Sequence, residues 1–327
     1  MLQDLLKKAR AMAASDLHLA VNSIPMVRVD GNLFPIGKLL TTEMLNAYIE
    51  QLLTTETKAK LQANGEVDFA YVCQKERYRV NIFQANEEYA IAIRLISNII
   101  PSCMELGLTK VVQDFVAAKH GLVLATGPTG SGKSTTLAAL VQKLNVEKSL
   151  HIITLEEPIE YLYEQSRSMI NQREVGKDTL SYASGLKNAL REDPDVILVG
   201  ELRDAEALRT ALQAAETGHL VLSTLHTRDA VTTINRILDM LPQEREQVRA
   251  QLADSLVGII SQELLQRKDG KGRVAALELL VNNNAVSNLI REGRTHQLYS
   301  YMQTGSRLGM QTLAQSLAGL RRTGVIN

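Results

Sequence analysis

Cysteine, net charge and long apolar runs are what this sequence lacks. Its two cysteines, Cys73 and Cys103, exclude a disulfide framework and a cysteine-built zinc site, and they point to a reducing, cytoplasmic setting. Lysine and arginine number 36 against 36 aspartates and glutamates, so the formal net charge is zero. That balance argues against a dedicated nucleic-acid binder, and no nucleic-acid partner is expected. No window approaches the roughly eighteen uninterrupted apolar residues that a transmembrane helix needs. Met1–Arg10 alternates leucine with lysine and aspartate, which is not the pattern of a secretory signal. Internal repeats and low-complexity tracts are absent too. What remains is a 327-residue chain, 45% hydrophobic and 22% charged, with enough length for two domains around real cores.

Two patterns divide the chain. Residues 1–100 read as a small α+β sheet domain. After an opening helix, Asp16-Leu17-His18-Leu19 alternates polar and apolar residues like a half-buried strand. Asp30-Gly31-Asn32, between Val27-Arg28-Val29 and Leu33-Phe34, is a hairpin signal. A helix is expected over residues 41–64, then strands over 67–72, 77–83 and 89–96. Ser97–Ser102, containing Pro101, reads as the linker. Residues 101–327 form the second domain, where short apolar strands alternate with helices: Leu122–Thr126, Ile152–Leu155, Val196–Val199 and Leu220–Thr224. Such runs indicate a parallel sheet buried on both faces. Beyond Leu241-Pro242 the chain reads as mainly helical, with a short hairpin near residues 268–280.

The chemistry concentrates after the first of those strands. Gly127-Pro128-Thr129-Gly130-Ser131-Gly132-Lys133-Ser134 fits the phosphate-loop pattern G-x-x-x-x-G-K-[ST], between a strand and a helix that begins near Thr135. The glycines let backbone N–H groups wrap a phosphate, and the helix N-terminus adds partial positive charge. Lys133 is placed to reach the β- and γ-phosphates of ATP, and the Ser134 hydroxyl to ligate Mg²⁺. Acids stand where the later strands end: Glu156-Glu157-Pro158-Ile159-Glu160 after one, Gly200-Glu201 after another. Ligands of a parallel α/β sheet sit beyond those carboxyl ends, so one carboxylate can order the attacking water and another can hold the metal. Spacing alone does not assign which does which. His219 and His226 flank the strand Leu220–Thr224 and read as γ-phosphate sensors or acid–base residues, not metal ligands.

Four segments together resemble the secretion and type IV pilus motor ATPases, and the resemblance covers essentially the whole chain. Gly127–Ser134 is similar to the family's Walker A, Ile153–Glu160 to its Asp box, Arg191–Glu201 to its atypical Walker B, and Thr217–Thr227 to its His box. The resemblance implies a RecA-like, mostly parallel ATPase domain with a helical C-terminal extension, preceded by a smaller PAS-like α+β domain. It aligns Glu160 with the water-activating glutamate and Glu201 with the Walker B acid near Mg²⁺. It also matches Arg79 and Arg94 to arginines that serve a neighbouring subunit's triphosphate, a role that suits cationic stabilisation of a transition state in trans. One departure is Glu156-Glu157-Pro158, where most relatives have Glu-Asp-Pro, so the part played by residue 157 stays open.

Within the family, extension motors usually carry a four-cysteine zinc site, which this chain cannot build. Ala285–Gly293 resembles the Ala-Ile-Arg-Asn-Leu-Ile-Arg-Glu signature of the PilT-like retraction branch, with Ser287 in place of its arginine. The resemblance therefore implies a homohexameric motor that hydrolyses ATP, swings its domains about the linker and pulls on an inner-membrane platform protein from the cytoplasmic face, driving pilus retraction. The alternatives are a pilus-extension or type II secretion ATPase, a nucleic-acid translocase with a basic channel, and a nucleotide-gated scaffold that does not hydrolyse.

Overall fold

The computed structural model describes residues 2–74, 76–96, 99–270 and 272–327. The chain divides into two compact units, Met1–Ile99 and Ile100–Asn327. Of the expected linker Ser97–Ser102, Ser97 and Asn98 lie outside the described residues.

The first unit opens with α1 (Leu2–Ala11), β1 (Asp16–Ala20), β2 (Met26–Val29) and β3 (Asn32–Pro35). Asp30 and Gly31 join β2 to β3 with φ of 47° and 86°, the doubly left-handed turn that matches strand twist in a two-residue hairpin. Then come α2 (Thr42–Leu52), α3 (Thr55–Asn64), β4 (Glu66–Cys73), β5 (Glu76–Ala85) and β6 (Glu88–Leu95). Two helices thus replace the single one expected over residues 41–64. Thr54 is extended and exchanges hydrogen bonds with Thr57 in a capping box, so the hydroxyl ends one helix and starts another. The strands pair antiparallel in the order β3-β2-β1-β6-β5-β4. Leu17, Leu19, Val80, Ile82, Ile91 and Ile93 alternate onto one face, in a core shared with Leu5, Leu6, Leu45 and Ile49 of the helices. Strand alternation leaves Asp16, Arg79 and Arg94 on the other face.

The second unit runs α4 (Lys110–Phe115), β7 (Gly121–Thr126), α5 (Lys133–Glu147), β8 (His151–Glu156), β9 (Met169–Glu174), α6 (Tyr182–Ala189), β10 (Val196–Val199), α7 (Ala205–Glu216), β11 (Leu220–Leu225) and α8 (Ala230–Met240). It continues with α9 (Arg245–Ser255), β12 (Leu256–Gln266), β13 (Arg273–Val281), α10 (Asn284–Arg291), α11 (Leu298–Thr304) and α12 (Leu313–Arg322). The sheet order is β13-β12-β7-β11-β10-β8-β9, parallel throughout except for β13. Every residue of β7, β10 and β11 is buried, as helices on both faces require. Asn145, fully buried near the end of α5, donates to Glu164 O (2.7 Å) and accepts from Ser166 N (3.3 Å), tying that helix end to the segment entering β9.

Beyond residue 242 the chain is mainly helical as expected, but the short hairpin expected near residues 268–280 is longer and starts earlier, at Leu256. β12 and β13 form a long hairpin, and β12 pairs parallel with β7 inside the sheet. Leu256–Gln266 lacks the polar–apolar alternation of a half-buried strand because its first seven residues are almost all buried, and α9 leads into it without a breaker. In α10, Ser287 Oγ donates to Ala253 O at 2.7 Å, and Arg291 pairs with Asp254. Among the described residues no helix is long and apolar enough to cross a membrane.

Gly258 of β12 permits the close approach of α4: a Cβ there would stand 2.4 Å from the Phe115 ring. Gly258→Ala is therefore expected to cost about 1–3 kcal/mol through overpacking. Phe115→Leu should recover part of that loss in the double variant. A double-mutant cycle by urea unfolding checks this, and simple additivity would refute the contact.

Candidate functional site

The loop between β7 and α5 is shaped by three glycines at φ of 137° (Gly127), 78° (Gly130) and 89° (Gly132), conformations that residues with a Cβ rarely adopt. Lys133 opens α5, is buried, and donates from Nζ to Gly127 O (2.9 Å) and Pro128 O (3.0 Å). Burial lowers its pKa, opposed by the nearby carboxylates of Glu201 and Glu160. Beyond the loop lies a cavity of about 400 Å³, lined among others by Thr129, Lys133, Ser134, Thr135, Glu160, Glu201 and His226.

Side chains from four strand ends meet at its rim. Arg203 donates from Nη1 to Glu157 Oε2 (2.7 Å) and from Nε to Glu201 Oε2 (2.8 Å), clamping the end of β8 to the end of β10. His226 follows β11 and lies with Nε2 3.5 Å from Glu201 Oε1, its Nδ1 3.4 Å from Thr129 Oγ1 of the phosphate loop. Thr135 Oγ1 lies 2.9 Å from the Tyr161 hydroxyl, one residue past Glu160. Beneath the rim Glu156 is buried, its Oε1 accepting from Thr154 Oγ1 (2.7 Å) and Gln172 Nε2 (3.2 Å).

Of the residues singled out from the sequence, the structure brings Gly130, Gly132, Lys133, Ser134, Thr135, Glu160, Glu201 and His226 to one cavity, together with Thr129. Gly127, Pro128 and Ser131 complete the loop behind it. His219 is not brought there. It precedes β11 and contacts Ala214 O (3.1 Å), roughly 20 Å from the carboxyl end by strand rise, so its expected place as a phosphate sensor in this cavity is corrected. Strand direction separates two histidines that the motif spacing treats alike. Arg79 and Arg94 belong to the first unit, directly opposite each other on β5 and β6. Arg79 makes a forked pair with Asp68 (Nε–Oδ2 2.9 Å, Nη2–Oδ2 2.5 Å), and Arg94 Nε donates to Asp16 Oδ1 (3.1 Å).

Sequence reasoning missed Arg203, the bridge between the two acids, and Gln262, whose side chain reaches the phosphate loop from β12. Arg203 lies two residues past the Gly200-Glu201 pair after β10, a usable signal. Gln262 carries none, because the sequence beyond residue 242 predicts mainly helix and gives no sign of the strand that holds it.

The loop suits a triphosphate. A Cβ at Gly127 would stand 2.3 Å from Gln262 O and 2.7 Å from Ser131 Oγ, and the buried Ser131 Oγ has no hydrogen-bond partner among the described residues. For a metal, Ser134 and Glu201 face the same cavity, while no group of three or more His, Cys, Asp or Glu among the described residues could hold an ion by itself. That donor set fits Mg²⁺, which keeps waters and substrate phosphates as its main ligands.

The arrangement has counterparts. Residues 1–323 match the family described as type II/IV secretion system protein. The chain is 46% identical over 327 residues to the type IV pilus retraction ATPase PilT of Pseudomonas aeruginosa, covering 99% of this chain and 95% of that protein. It is also 46% identical to a twitching motility protein of Neisseria gonorrhoeae, covering 92% of this chain and 82% of that one. A crystal structure of the pilus retraction motor PilT with bound ADP superposes with a TM-score of 0.91 at 46% identity, over 99% of this chain and 94% of that one.

Burial pushes the Glu156 carboxyl above the usual carboxylate range. The folded state then holds this proton more tightly than the unfolded chain, so the ionised group weakens the fold once pH exceeds the ordinary carboxylate pKa. Glu156→Gln keeps the acceptor oxygen and removes that penalty. Its unfolding midpoint should exceed the wild-type value at pH 8, with the gap closing below about pH 4. An equal gap at both pH values would show that ionisation of Glu156 carries no cost.

Proposed function

Because this chain belongs to the type II/IV secretion system protein family, we propose that it is an ATP-hydrolysing motor of the branch that retracts type IV pili. The observation that carries this reading is the single cavity in which a buried phosphate-loop lysine faces Glu160, Glu201 and His226. Full-length likeness to a retraction ATPase supports this branch over the extension and secretion motors.

In this reading Lys133 exchanges its two carbonyl partners for the β- and γ-phosphate oxygens. Loop N–H groups and the α5 N-terminus take the remaining phosphate charge. Ser134 and Glu201 would hold Mg²⁺, which neutralises charge developing on the transferred phosphoryl group. Glu160 orients and deprotonates the attacking water. His226, between Thr129 and Glu201, reports whether the γ-phosphate is present. Arg203 holds Glu157 and Glu201 at a fixed spacing, so the longer side chain at position 157 still has a cationic partner.

The working form is a homohexamer, in which Arg79 and Arg94 of one subunit serve the triphosphate of a neighbour. To do so they leave Asp68 and Asp16. Both pairs are partly exposed, so exchanging them costs little. The ring works at the cytoplasmic face of the inner membrane and pulls on a platform protein there. Salt-sensitive nucleic-acid binding would favour the translocase reading instead.

Phosphate release by the purified protein, with oligomer mass recorded on the same samples, tests this. Wild type should turn over ATP as a species of hexamer mass. Lys133→Ala should lose both binding and turnover. Glu160→Gln should still bind ATP while its kcat falls by about 100-fold or more. Wild-type turnover by Glu160→Gln removes that residue from the chemistry, and a wild-type protein that binds ATP without releasing phosphate refutes the motor.

A further inference from the structure

Gln262 is buried deep in β12, yet its amide is spent entirely on the phosphate loop and the helix behind it. Nε2 donates to Ser131 O at 2.5 Å, and Oε1 accepts from Thr136 Oγ1 at 2.9 Å. Its main-chain carbonyl stands against Gly127, and its Nε2 would lie 3.0 Å from a Cβ at Gly132. One residue of a neighbouring strand therefore touches the loop at both ends, Gly127 and Ser131–Gly132. The flanking pair repeats the connection, since Thr126 Oγ1 donates to Ser261 Oγ at 2.8 Å.

The contact with Ser131 O has a directional consequence. In a planar trans peptide the carbonyl and the following N–H point in opposite directions. Holding Ser131 O toward β12 turns the N–H of Gly132 away from β12, and Gly132 lines the cavity. Glycine at position 132 imposes little barrier to reorienting this peptide unit, because glycine as a residue type tolerates both signs of φ. Flipped, the same peptide would present an oxygen to the cavity and repel a phosphate. We propose that Gln262 is a positioning residue for nucleotide binding: it locks the Ser131–Gly132 peptide so that an N–H, and not a carbonyl oxygen, faces the phosphates.

The inference rests on the phosphate loop binding ATP. Its signature is a loss of affinity shared by ATP and ADP, without loss of chemistry: KM rises while kcat holds. Gln262→Met matches the length and removes both hydrogen bonds, and it should raise KM for ATP and Kd for ADP about tenfold, the scale of one lost net hydrogen bond. Thr136→Val removes only the far-side bond and should leave both constants within about twofold.

Gln262→Glu gives a second readout should the methionine variant fold poorly. Ionised, its carboxylate faces Ser131 O and cannot donate. Protonated, it restores the donor, and burial favours protonation. The charged side chain of the same loop, Lys133, is directed at Gly127 O and Pro128 O. ADP affinity of Gln262→Glu, divided by that of wild type at the same pH, should therefore rise on going from pH 8 to pH 6. A pH-independent ratio, or wild-type KM in Gln262→Met, overturns the proposal. A wild-type protein that binds neither nucleotide would instead refute the reading of the loop itself.

Discussion

Parallel strand direction is the constraint on which this molecule's chemistry depends. β7, β8, β10 and β11 run the same way, so the chain must leave all four strands along one edge. Burial on both faces keeps β7, β10 and β11 largely apolar, with buried hydroxyls such as Thr126 and Ser223 as the polar groups inside, and concentrates the charged groups where the strands stop. The phosphate loop, the acids after β8 and β10, and the histidine after β11 converge because of this geometry, although up to 99 residues separate them in sequence, from Gly127 to His226.

Charge at that edge is arranged as linked pairs. Arg203 sits between two carboxylates, and one of those carboxylates faces His226, which in turn faces the loop threonine. Lys133 is hydrogen-bonded to carbonyl oxygens, with the Glu201 and Glu160 carboxylates near but not bonded to it, so a phosphate displaces neutral acceptors from its ammonium. A direct Lys133–carboxylate ion pair would have opposed substrate binding more strongly.

Much of this was legible in the sequence, for identifiable reasons. Strands β7, β10 and β11 are short unbroken apolar runs, and Asp30-Gly31 carries its turn geometry in its residue types. The loop and its acids follow from motif and position. The break at Thr54 was missed because a threonine inside a helical pattern signals a cap only when the structure shows its hydroxyl turned to the backbone. β12 is hidden in the sequence because a strand buried on both faces shows no alternation, and no glycine or proline separates the end of α9 from Leu256. Losing β12 also hid Gln262, whose importance comes wholly from lying beside β7. His219 was drawn into the site by its motif, and only the direction of β11 moves it away.

Helix α5 has fifteen residues and so spans about 22 Å. One end carries Lys133 and the glycine cradle, and the other carries Asn145, bonded to the segment that leads into β9. A rigid rod pinned at both ends transmits axial displacement with little loss. The nucleotide cradle and the Glu164–Ser166 backbone are thus anchored to opposite ends of one continuous helix.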